Sequence, residues 1–409
     1  MREMRDSGVA WIGKIPKEWG IVKFKYLHNG LNTGEAIDKE YWESDAGLNA
    51  FYTAGLTPIR TGYSNFPTWK ETGENDLLLA RNGTPYVYLP VSKAYYTDHI
   101  IRAAMSSLVN RRFIRYCLQQ SIASIAVDSV SIPTWSATLW NNQILTWPSV
   151  IEQERIAAFL DAECAEIDAV LEKTRASIEE YKKLKQAVIT QAVTKGIRGD
   201  RPMKDSGIEW IGDIPAEWSV VPFSKFARVS ANLVNPSDYQ DYLQVSPENI
   251  EKDSGKLLPC KTVSEVGVES WNHFFHKGQI LYSKIRPKLN KVCIAPFDGL
   301  CSADMYPIDT DNISKFVVYT ILSNDFNQQV AMITENRVKM PKINQKELSK
   351  IIVVLPANRM EQQEIVDYLD GECGKIDALI AKKQQYLTEI ENYKKSLIYE
   401  YVTGKKEVV

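Results

Sequence analysis

Short runs of cationic and amide side chains are the residues of this chain best suited to bind an anionic ligand. The richest run lies in the segment 284–291, which contains no acidic residue, and its candidates are Lys284, Arg286, Lys288, Asn290 and Lys291. Arginine and lysine bind phosphates and the edge of guanine, whereas asparagine and glutamine read adenine. The composition of this segment therefore predicts contact with a nucleic acid.

Three further runs have the same character. Arg337 and Lys339 lie in a second loop of the C-terminal half. The N-terminal half offers two runs, whose candidates are Arg60, Thr61 and Tyr63 in the first and Arg81, Asn82 and Thr84 in the second. A solvated turn explains any single run equally well. The segments 81–84 and 284–291 each separate two apolar stretches, however, and equivalent hairpin tips in both halves favour binding.

Catalytic constellations give no comparable signal. The sequence contains no GxxxxGK[ST] phosphate loop, no GxGxxG after a strand, no GxSxG elbow and no HExxH helix. His273 and His276 are the only close histidine pair, but no cysteine or acid completes a tetrahedral zinc set, so a turn is the better interpretation. Asp298 and Asp304 lie at a spacing that is common for loop acids. We therefore predict a chain that has no catalytic residues and no metal site.

Each half contains a variable region, about 20–147 and 219–355, in which strand and helix patterns are mixed. The predicted strands are 76–80, 86–91 and 143–147 in the first region, and 279–283, 291–295 and 350–356 in the second. A helix is predicted over 111–126 and over 315–333. The same layout on dissimilar sequence predicts one α/β scaffold that carries two different surfaces.

The last strand of each region leads into a segment, 148–196 or 356–405, that predicts one long helix. Glu152 matches Glu361 at an offset of 209 (361 − 152), and the offset holds without a gap along the helix. Capping-box spacing marks the starts at Ser149 and Asn358, and Gly196 and Gly404 mark the ends. The a and d positions of a seven-residue repeat run from Leu160 to Ala192 and from Leu369 to Tyr401. This period predicts a coiled coil.

A second repeat confirms that the sequence is duplicated in tandem. The segment 5–19, RDSGVAWIGKIPKEW, returns at 204–218 as KDSGIEWIGDIPAEW. The predicted domains are therefore 1–147 (segment plus variable domain), 148–196 (long helix), 197–355 (segment plus second variable domain) and 356–409 (second long helix). The linker between Gly196 and Asp205 is short, so we expect the second helix to run back antiparallel to the first, with pseudo-twofold symmetry.

One face of each long helix carries small residues at helical spacing. They are Ala158, Ala162, Ala165 and Ala169 in the first helix and Gly371, Gly374 and Ala378 in the second. Helix propensity explains alanine, but each glycine costs about 1 kcal/mol relative to alanine inside a helix. We interpret this face as a docking surface for partner helices, with frayed first turns as the alternative.

Length and composition bound the remaining possibilities. A chain of 409 residues exceeds a single core, and its net charge of −2 gives no overall basic field, so nucleic-acid contacts must be local. No apolar run approaches a membrane span, and no signal peptide is apparent. Six cysteines without a CxxC pair fit reduced thiols in the cytoplasm.

The repeated DSG–W–IP–W segments and the repeated helices with EQxxI, LD, IDA and VT elements resemble the specificity subunit of type I restriction–modification systems. The resemblance covers essentially the whole chain. It implies two α/β (α+β) target recognition domains, separated by a long antiparallel two-helix coiled coil, and each domain would read one half of an interrupted target in double-stranded DNA. The helices would set the gap and dock two methylation subunits.

The resemblance further implies that restriction subunits join the full complex. S-adenosylmethionine, ATP and Mg²⁺ would then be bound by the partner subunits, an adenine-specific methyltransferase and an ATP-dependent endonuclease, and none by this chain. Two unequal recognition domains imply an asymmetric target, because identical domains would give a palindrome. The alternative hypothesis is a helical scaffold that binds no DNA, and a self-contained nuclease or methyltransferase is a third.

Overall fold

The structure is a computed structural model that describes residues 2–42, 49–53, 55, 57–125, 133–335, 337 and 341–408. The chain forms two compact units with mixed α/β content. Unit 1 comprises Met1–Thr174 and Tyr386–Val409, and unit 2 comprises Arg175–Gln385. The first long helix, Val150–Lys195, and the second long helix, Arg359–Val402, each contribute one segment to each unit.

Unit 1 is built mainly from short strands. Its strands are β1 (Met4–Asp6), β2 (Lys14–Pro16), β3 (Gly20–Lys23), β4 (His28–Thr33), β5 (Asn49–Tyr52), β6 (Ile59–Thr61), β7 (Asp76–Ala80), β8 (Val87–Tyr88), β9 (Tyr95–Tyr96), β10 (Ile100–Met105) and β11 (Ile144–Trp147). Its helices are α1 (Arg111–Ala123), α2 (Ala137–Asn141) and α3, the first long helix. Single 3₁₀ turns lie at Phe24–Tyr26, Lys39–Tyr41 and Thr68–Lys70.

Unit 2 repeats this plan with additional strands. They are β12 (Met203–Asp205), β13 (Asp213–Pro215), β14 (Ser219–Pro222), β15 (Arg228–Val229), β16 (Leu233–Val234), β17 (Leu243–Val245), β18 (Lys261–Thr262), β19 (Asn272–Phe275), β20 (Ile280–Ser283), β21 (Val292–Ile294), β22 (Gly299–Cys301), β23 (Met305–Asp309) and β24 (Ile352–Leu355). The helices are α4 (Phe223–Phe226), α5 (Val263–Val266), α6 (Ser314–Leu322), α7 (Asn324–Thr334), α8 (Gln345–Leu348) and α9, the second long helix. Single 3₁₀ turns lie at Pro236–Asp238, Pro247–Asn249 and Pro287–Leu289.

The strand order of one sheet is the same in the two units. Four antiparallel strands are ordered β4-β10-β7-β8 in unit 1 and β15-β23-β20-β21 in unit 2. The pairs β1-β2 and β3-β11 correspond to β12-β13 and β14-β24. The remaining sheet differs, because its described strands are β6-β5-β9 in unit 1 but β16-β19-β22-β17-β18 in unit 2. Two different surfaces are thus built on the same frame.

Within each unit, a segment of the first long helix contacts a segment of the second. Every predicted a and d position is buried or half-buried. In unit 1 Asp168 Oδ1 accepts a hydrogen bond from Lys394 Nζ at 2.7 Å, and in unit 2 Asp377 Oδ1 accepts one from Lys185 Nζ at 2.8 Å. In unit 1 the rings of Phe159 and Tyr401 also lie 4.4 Å apart, and in unit 2 Lys383 Nζ lies 5.6 Å from the centre of the Tyr181 ring. In each unit, residue numbers rise along one helix as they fall along the other, so the two segments are antiparallel.

A buried tryptophan of the repeated segment joins the two helix ends in unit 1. Trp19 is 1% exposed, and its indole Nε1 donates to Glu152 Oε2 at 2.9 Å in the first turn of α3. Arg2 also pairs with Glu152. The end of α9 lies against the same ring, because a Cβ on Gly404 would come within 3.0 Å of Trp19 and 2.5 Å of Pro16.

Unit 2 contains the same arrangement with the roles of the helices exchanged. Trp218 is fully buried and donates to Glu361 Oε2 at 3.0 Å in the first turn of α9, while Arg201 donates to Glu361 Oε1 at 2.6 Å. Gly196, after α3, adopts φ +76°, and a Cβ there would lie 2.8 Å from Arg201 and 3.3 Å from Trp218. The left-handed conformation favours glycine at both helix ends, and at Gly404 the rigid Pro16 ring also leaves no room for a Cβ.

The first turns of the long helices also hold the shorter helices. The Gln153 side chain accepts a hydrogen bond from the Asn110 amide at 3.2 Å, and Gln362 accepts one from the Ile313 amide at 3.0 Å. Farther along, the Asp161 carboxylate accepts a bond from the Tyr116 hydroxyl at 2.8 Å. Asp370 and Tyr319 repeat this contact at 2.7 Å.

Two local expectations are wrong. The helix expected over 315–333 is interrupted at Ser323, which is extended (φ −66°, ψ 155°) and whose side chain caps α7 by accepting from Phe326 N. At the long helices, Ser149 and Asn358 do accept the amides of Glu152 and Glu361. The capping-box spacing also predicts that each glutamate carboxylate reaches back to the start of its helix. Instead, Glu152 and Glu361 bind a tryptophan and an arginine, because these donors lie within reach of the first turn.

We predict that Trp218→Phe lowers the free energy of unfolding by about 1–3 kcal/mol, because Glu361 is buried and loses its indole donor. Urea unfolding of the full chain measures this effect. The matched control is Trp210→Phe in the same repeated segment, since Trp210 is 46% exposed and should tolerate the change. Equal stability of both variants would contradict the proposed anchoring role.

Candidate nucleic-acid interface

The two cationic hairpin loops join equivalent strands of the matching sheets. The segment 81–86 connects β7 to β8, and the segment 284–291 connects β20 to β21. Each loop is paired with a second loop through an isolated antiparallel bridge, Asn82 with Thr134 in unit 1 and Ile285 with Lys342 in unit 2. The structure therefore places the segment 284–291 against residues 341–343.

Arg286 and Lys288 are exposed at the tip of the unit 2 hairpin. Arg286 adopts a left-handed conformation (φ 45°, ψ 52°) before the 3₁₀ turn Pro287–Leu289. Such a conformation costs of the order of 1–3 kcal/mol for a residue other than glycine. The Arg286 amide donates to Pro341 O at 2.8 Å, so the second loop holds the tip in this strained shape. The backbone of the tip is thereby held in place before a ligand arrives.

Lys284 and Lys291 flank the tip and are half-buried. The ammonium of Lys284 lies 5.3 Å from the centre of the Tyr306 ring, and Lys291 Nζ donates to Pro247 O at 2.7 Å. Both cations are positioned by the protein, and their partners are uncharged. Their positive charges therefore add to those of Arg286 and Lys288.

Two of the predicted DNA-contacting residues, Asn290 and Thr61, are buried. Asn290 is 1% exposed, and its Nδ2 donates to Leu322 O at 3.3 Å. Thr61 is 0% exposed, and its hydroxyl accepts from Tyr63 N at 3.1 Å. Neither side chain reaches the surface, so both shape their loops and are not retained as base contacts.

Arg337 has a carboxylate partner. Its guanidinium binds both oxygens of Glu347, at 2.5 and 3.1 Å. This hydrogen bonding raises the pKa of Arg337 and lowers the pKa of Glu347. The charge of Arg337 is therefore partly neutralised within the chain. Lys339 lies outside the described residues, whereas Lys342, on the same loop, binds Asp304 Oδ1 at 2.9 Å.

The unit 1 hairpin offers fewer cations and more hydrogen-bonding groups. Arg81 and Thr84 are exposed, and Asn82 Nδ2 lies 2.9 Å from His99 Nδ1. Arg60 is exposed in β6. Tyr63 follows it and packs edge-on against Phe66, with ring centres 4.7 Å apart. Unit 1 therefore presents a different set of side chains on the same scaffold.

The small-residue face of the long helices is exposed. All four alanines of the first helix and the three small residues of the second lie at the surface. A Cβ on Gly371 or Gly374 would meet no atom within 4 Å. Sequence reasoning missed two large apolar residues at the matching helix starts, Ile151 and Met360, which are 69% and 77% exposed. Their matching positions in the repeat were the signal that could have revealed them.

Other possible sites are accounted for. Among the described residues, no group of three His, Cys, Asp or Glu side chains could hold a metal ion. His273 is buried in β19, where burial and the charge of Lys284 lower its pKa. All six cysteines are unpaired. In the part of the chain that the structure describes, no helix is long and apolar enough to cross a membrane.

Comparison with known proteins yields consistent similarities. Residues 225–392 match the family model of the type I restriction modification DNA specificity domain. The chain is 31% identical over 416 residues to the type I restriction enzyme EcoDI specificity subunit of Escherichia coli, covering 96% of this chain and 90% of that protein. It is 23% identical over 425 residues to the MjaVIII specificity subunit of Methanocaldococcus jannaschii, covering 97% and 94%.

A solved structure described as showing complex assembly and conformational transition of the type I R-M system contains a chain of similar fold. The TM-score is 0.66 at 13% sequence identity, and the match covers 96% of this chain and 99% of that one. At this identity the similarity concerns the fold.

Proposed function

The chain belongs to the family of type I restriction enzyme specificity subunits, and we propose that each of its two units reads one half of an asymmetric, bipartite DNA target. The role of the chain is DNA sequence recognition. The observation that carries the proposal is the pair of equivalent hairpins, β7-β8 and β20-β21, which present different exposed side chains on the same strand order. A scaffold that binds no DNA is not favoured.

Tandem duplication and an antiparallel coiled coil complete the proposal. The antiparallel contacts within each unit and the buried seam support a continuous two-helix coiled coil that sets the gap between half-sites. The regions 1–147 and 197–355 would each contain one recognition domain, and 148–196 and 356–409 would be the two spacers. The gap between the half-sites would then be defined by its length alone, and no side chain would read its bases.

Partner subunits would perform the chemistry. We propose that two methylation subunits dock on the exposed small-residue face and that restriction subunits join the full complex. S-adenosylmethionine, ATP and Mg²⁺ would be bound by these partners. The cytoplasmic location of the chain stays a prediction. Exposed Ile151 and Met360 extend the docking face with apolar surface at both helix starts.

Mapping of methylated bases in a host that expresses all subunits tests the proposed function. We expect one asymmetric motif with two specified parts separated by a fixed unspecified gap. The control is the same host without this chain, in which the motif should be unmethylated. A continuous motif, or a palindrome, would reject two different half-site readers joined by a spacer.

Arg286→Ala and Lys288→Ala should each weaken DNA binding by the assembled complex for all sequences alike. Each should reduce the slope of log K against log salt concentration by about 1, because one phosphate contact is lost. The control is Lys225→Ala, an exposed cation of α4 at the opposite end of the sheet from the hairpin tip. Unchanged slopes for both variants would remove these residues from the DNA interface.

A size series at Gly371 tests the docking face. Gly371→Ala and Gly371→Leu should both stabilise the isolated chain, by roughly 1 kcal/mol, because the position is open and both residues favour helix. Assembly with methylation subunits should weaken in the order Gly, Ala, Leu, as measured by titration of the purified subunits. Equal affinities across the series would place the docking surface elsewhere.

A further inference from the structure

A cavity of about 660 Å³ lies on the five-stranded sheet of unit 2. Its wall is rich in amides and hydroxyls, namely Gln244, Ser246, Asn249, Asn272 and Ser302. None of these residues belongs to the cationic runs found from sequence. The volume is within the range of roughly 300–1,000 Å³ typical of ligand sites in proteins.

The strand register places these side chains on one face of the sheet. Val245 in β17 and His273 in β19 both pair with Cys301 in β22. One residue beyond these pairs, Ser246, Ser302 and Asn272 lie side by side across the three strands. They form a polar row on the face opposite to that of Val245, Cys301 and His273, since successive side chains point to opposite faces of a sheet. Gln244 lies two residues before Ser246 and shares that face. The row arises from pairing between distant strands.

Gln244 is the most informative member. It is 5% exposed, and its Oε1 has no hydrogen-bond partner among the described residues. A buried acceptor without a donor costs about 1–3 kcal/mol. The neighbouring Asn272 is 2% exposed and donates to Ser270 O at 3.3 Å. An amide that is buried, lines a cavity and lacks a donor is suited to accept an N–H from a ligand.

The charge of the cavity wall favours a neutral hydrogen-bonding group over a phosphate. Glu248 and Glu269 line the cavity together with Lys261. Carboxylates repel phosphate, whereas they accept hydrogen bonds from amino groups. The cavity thus complements the cationic hairpin, which carries the phosphate-binding character of unit 2.

Direct contacts link the cavity to that hairpin. Lys291 Nζ donates to Pro247 O at 2.7 Å, beside Ser246 at the cavity wall. On the other side, the Ser302 hydroxyl accepts from Asp304 N at 3.2 Å, and Asp304 binds Lys342 of the paired loop. The cavity and the cationic hairpin are therefore neighbours within unit 2, so one half-site could contact both.

We propose that this cavity receives the edge of one base of the half-site read by unit 2, and that Gln244 is a specificity-determining residue there. The inference rests on the proposed function. The proposed edge is that of the major groove, where adenine and cytosine present an exocyclic amino donor. Gln244 Oε1 accepts that N–H. In the described part of unit 1 the corresponding sheet has three strands, so the effect belongs to unit 2 alone.

The test is methylation mapping of the full complex with Gln244→Met, which removes the acceptor and keeps a similar side-chain length. Discrimination at one position of one half-site should fall by about 10- to 100-fold, as expected for loss of a base contact. The other half-site, the gap and the salt slope should stay unchanged. Thermal stability should be retained, because no residue within the described chain loses a partner. Sequence preference at that position in the wild type distinguishes adenine from cytosine.

Gln244→Glu keeps an acceptor and should retain selection for a base with an amino group. The matched control is Gln240→Met, an exposed glutamine of the same unit, which should leave the motif unchanged. A wild-type motif in Gln244→Met, or equal loss of selectivity in both half-sites, would overturn the inference. Failure of the proposed function is distinguishable, since the wild-type complex would then methylate no gapped motif.

Discussion

Burial of one tryptophan against one glutamate at the start of a long helix is the constraint on which each unit depends. Trp19 and Trp218 lie where a helix start, a helix end and an arginine meet. The ring needs a carboxylate for its N–H and a glycine to admit its face. Since these three requirements involve residues far apart in sequence, the repeated segment can close each unit only when both long helices are in register.

This constraint separates what is fixed from what varies. In each unit, three side chains near the start of one long helix make the fixed contacts. A glutamate binds the tryptophan, a glutamine binds the loop before the shorter helix, and an aspartate binds the tyrosine of that helix. None of these contacts involves the hairpin tips. The tips can therefore differ in sequence without loss of the frame, which is how one scaffold can carry two readers of different specificity.

The sequence predicted those features that depend on local pattern. The side-chain caps at Ser149 and Asn358, the burial of the a and d positions and the paired hairpin strands follow from spacing, and the structure contains them. Burial of Asn290 and the break at Ser323 could not be predicted, because both depend on packing against distant segments. The roles of Glu152 and Glu361 were missed for the same reason. The polar row with Gln244 requires strand pairing that no short motif encodes.

For the DNA contact proposed above, the left-handed backbone at Arg286 would affect the speed of recognition. A loop that must reorganise after encounter slows association and loses conformational entropy at that moment. Here the neighbouring loop already imposes the strained shape through the Pro341 carbonyl. The entropy of ordering the tip is lost during folding, so the proposed DNA contact would form without that cost.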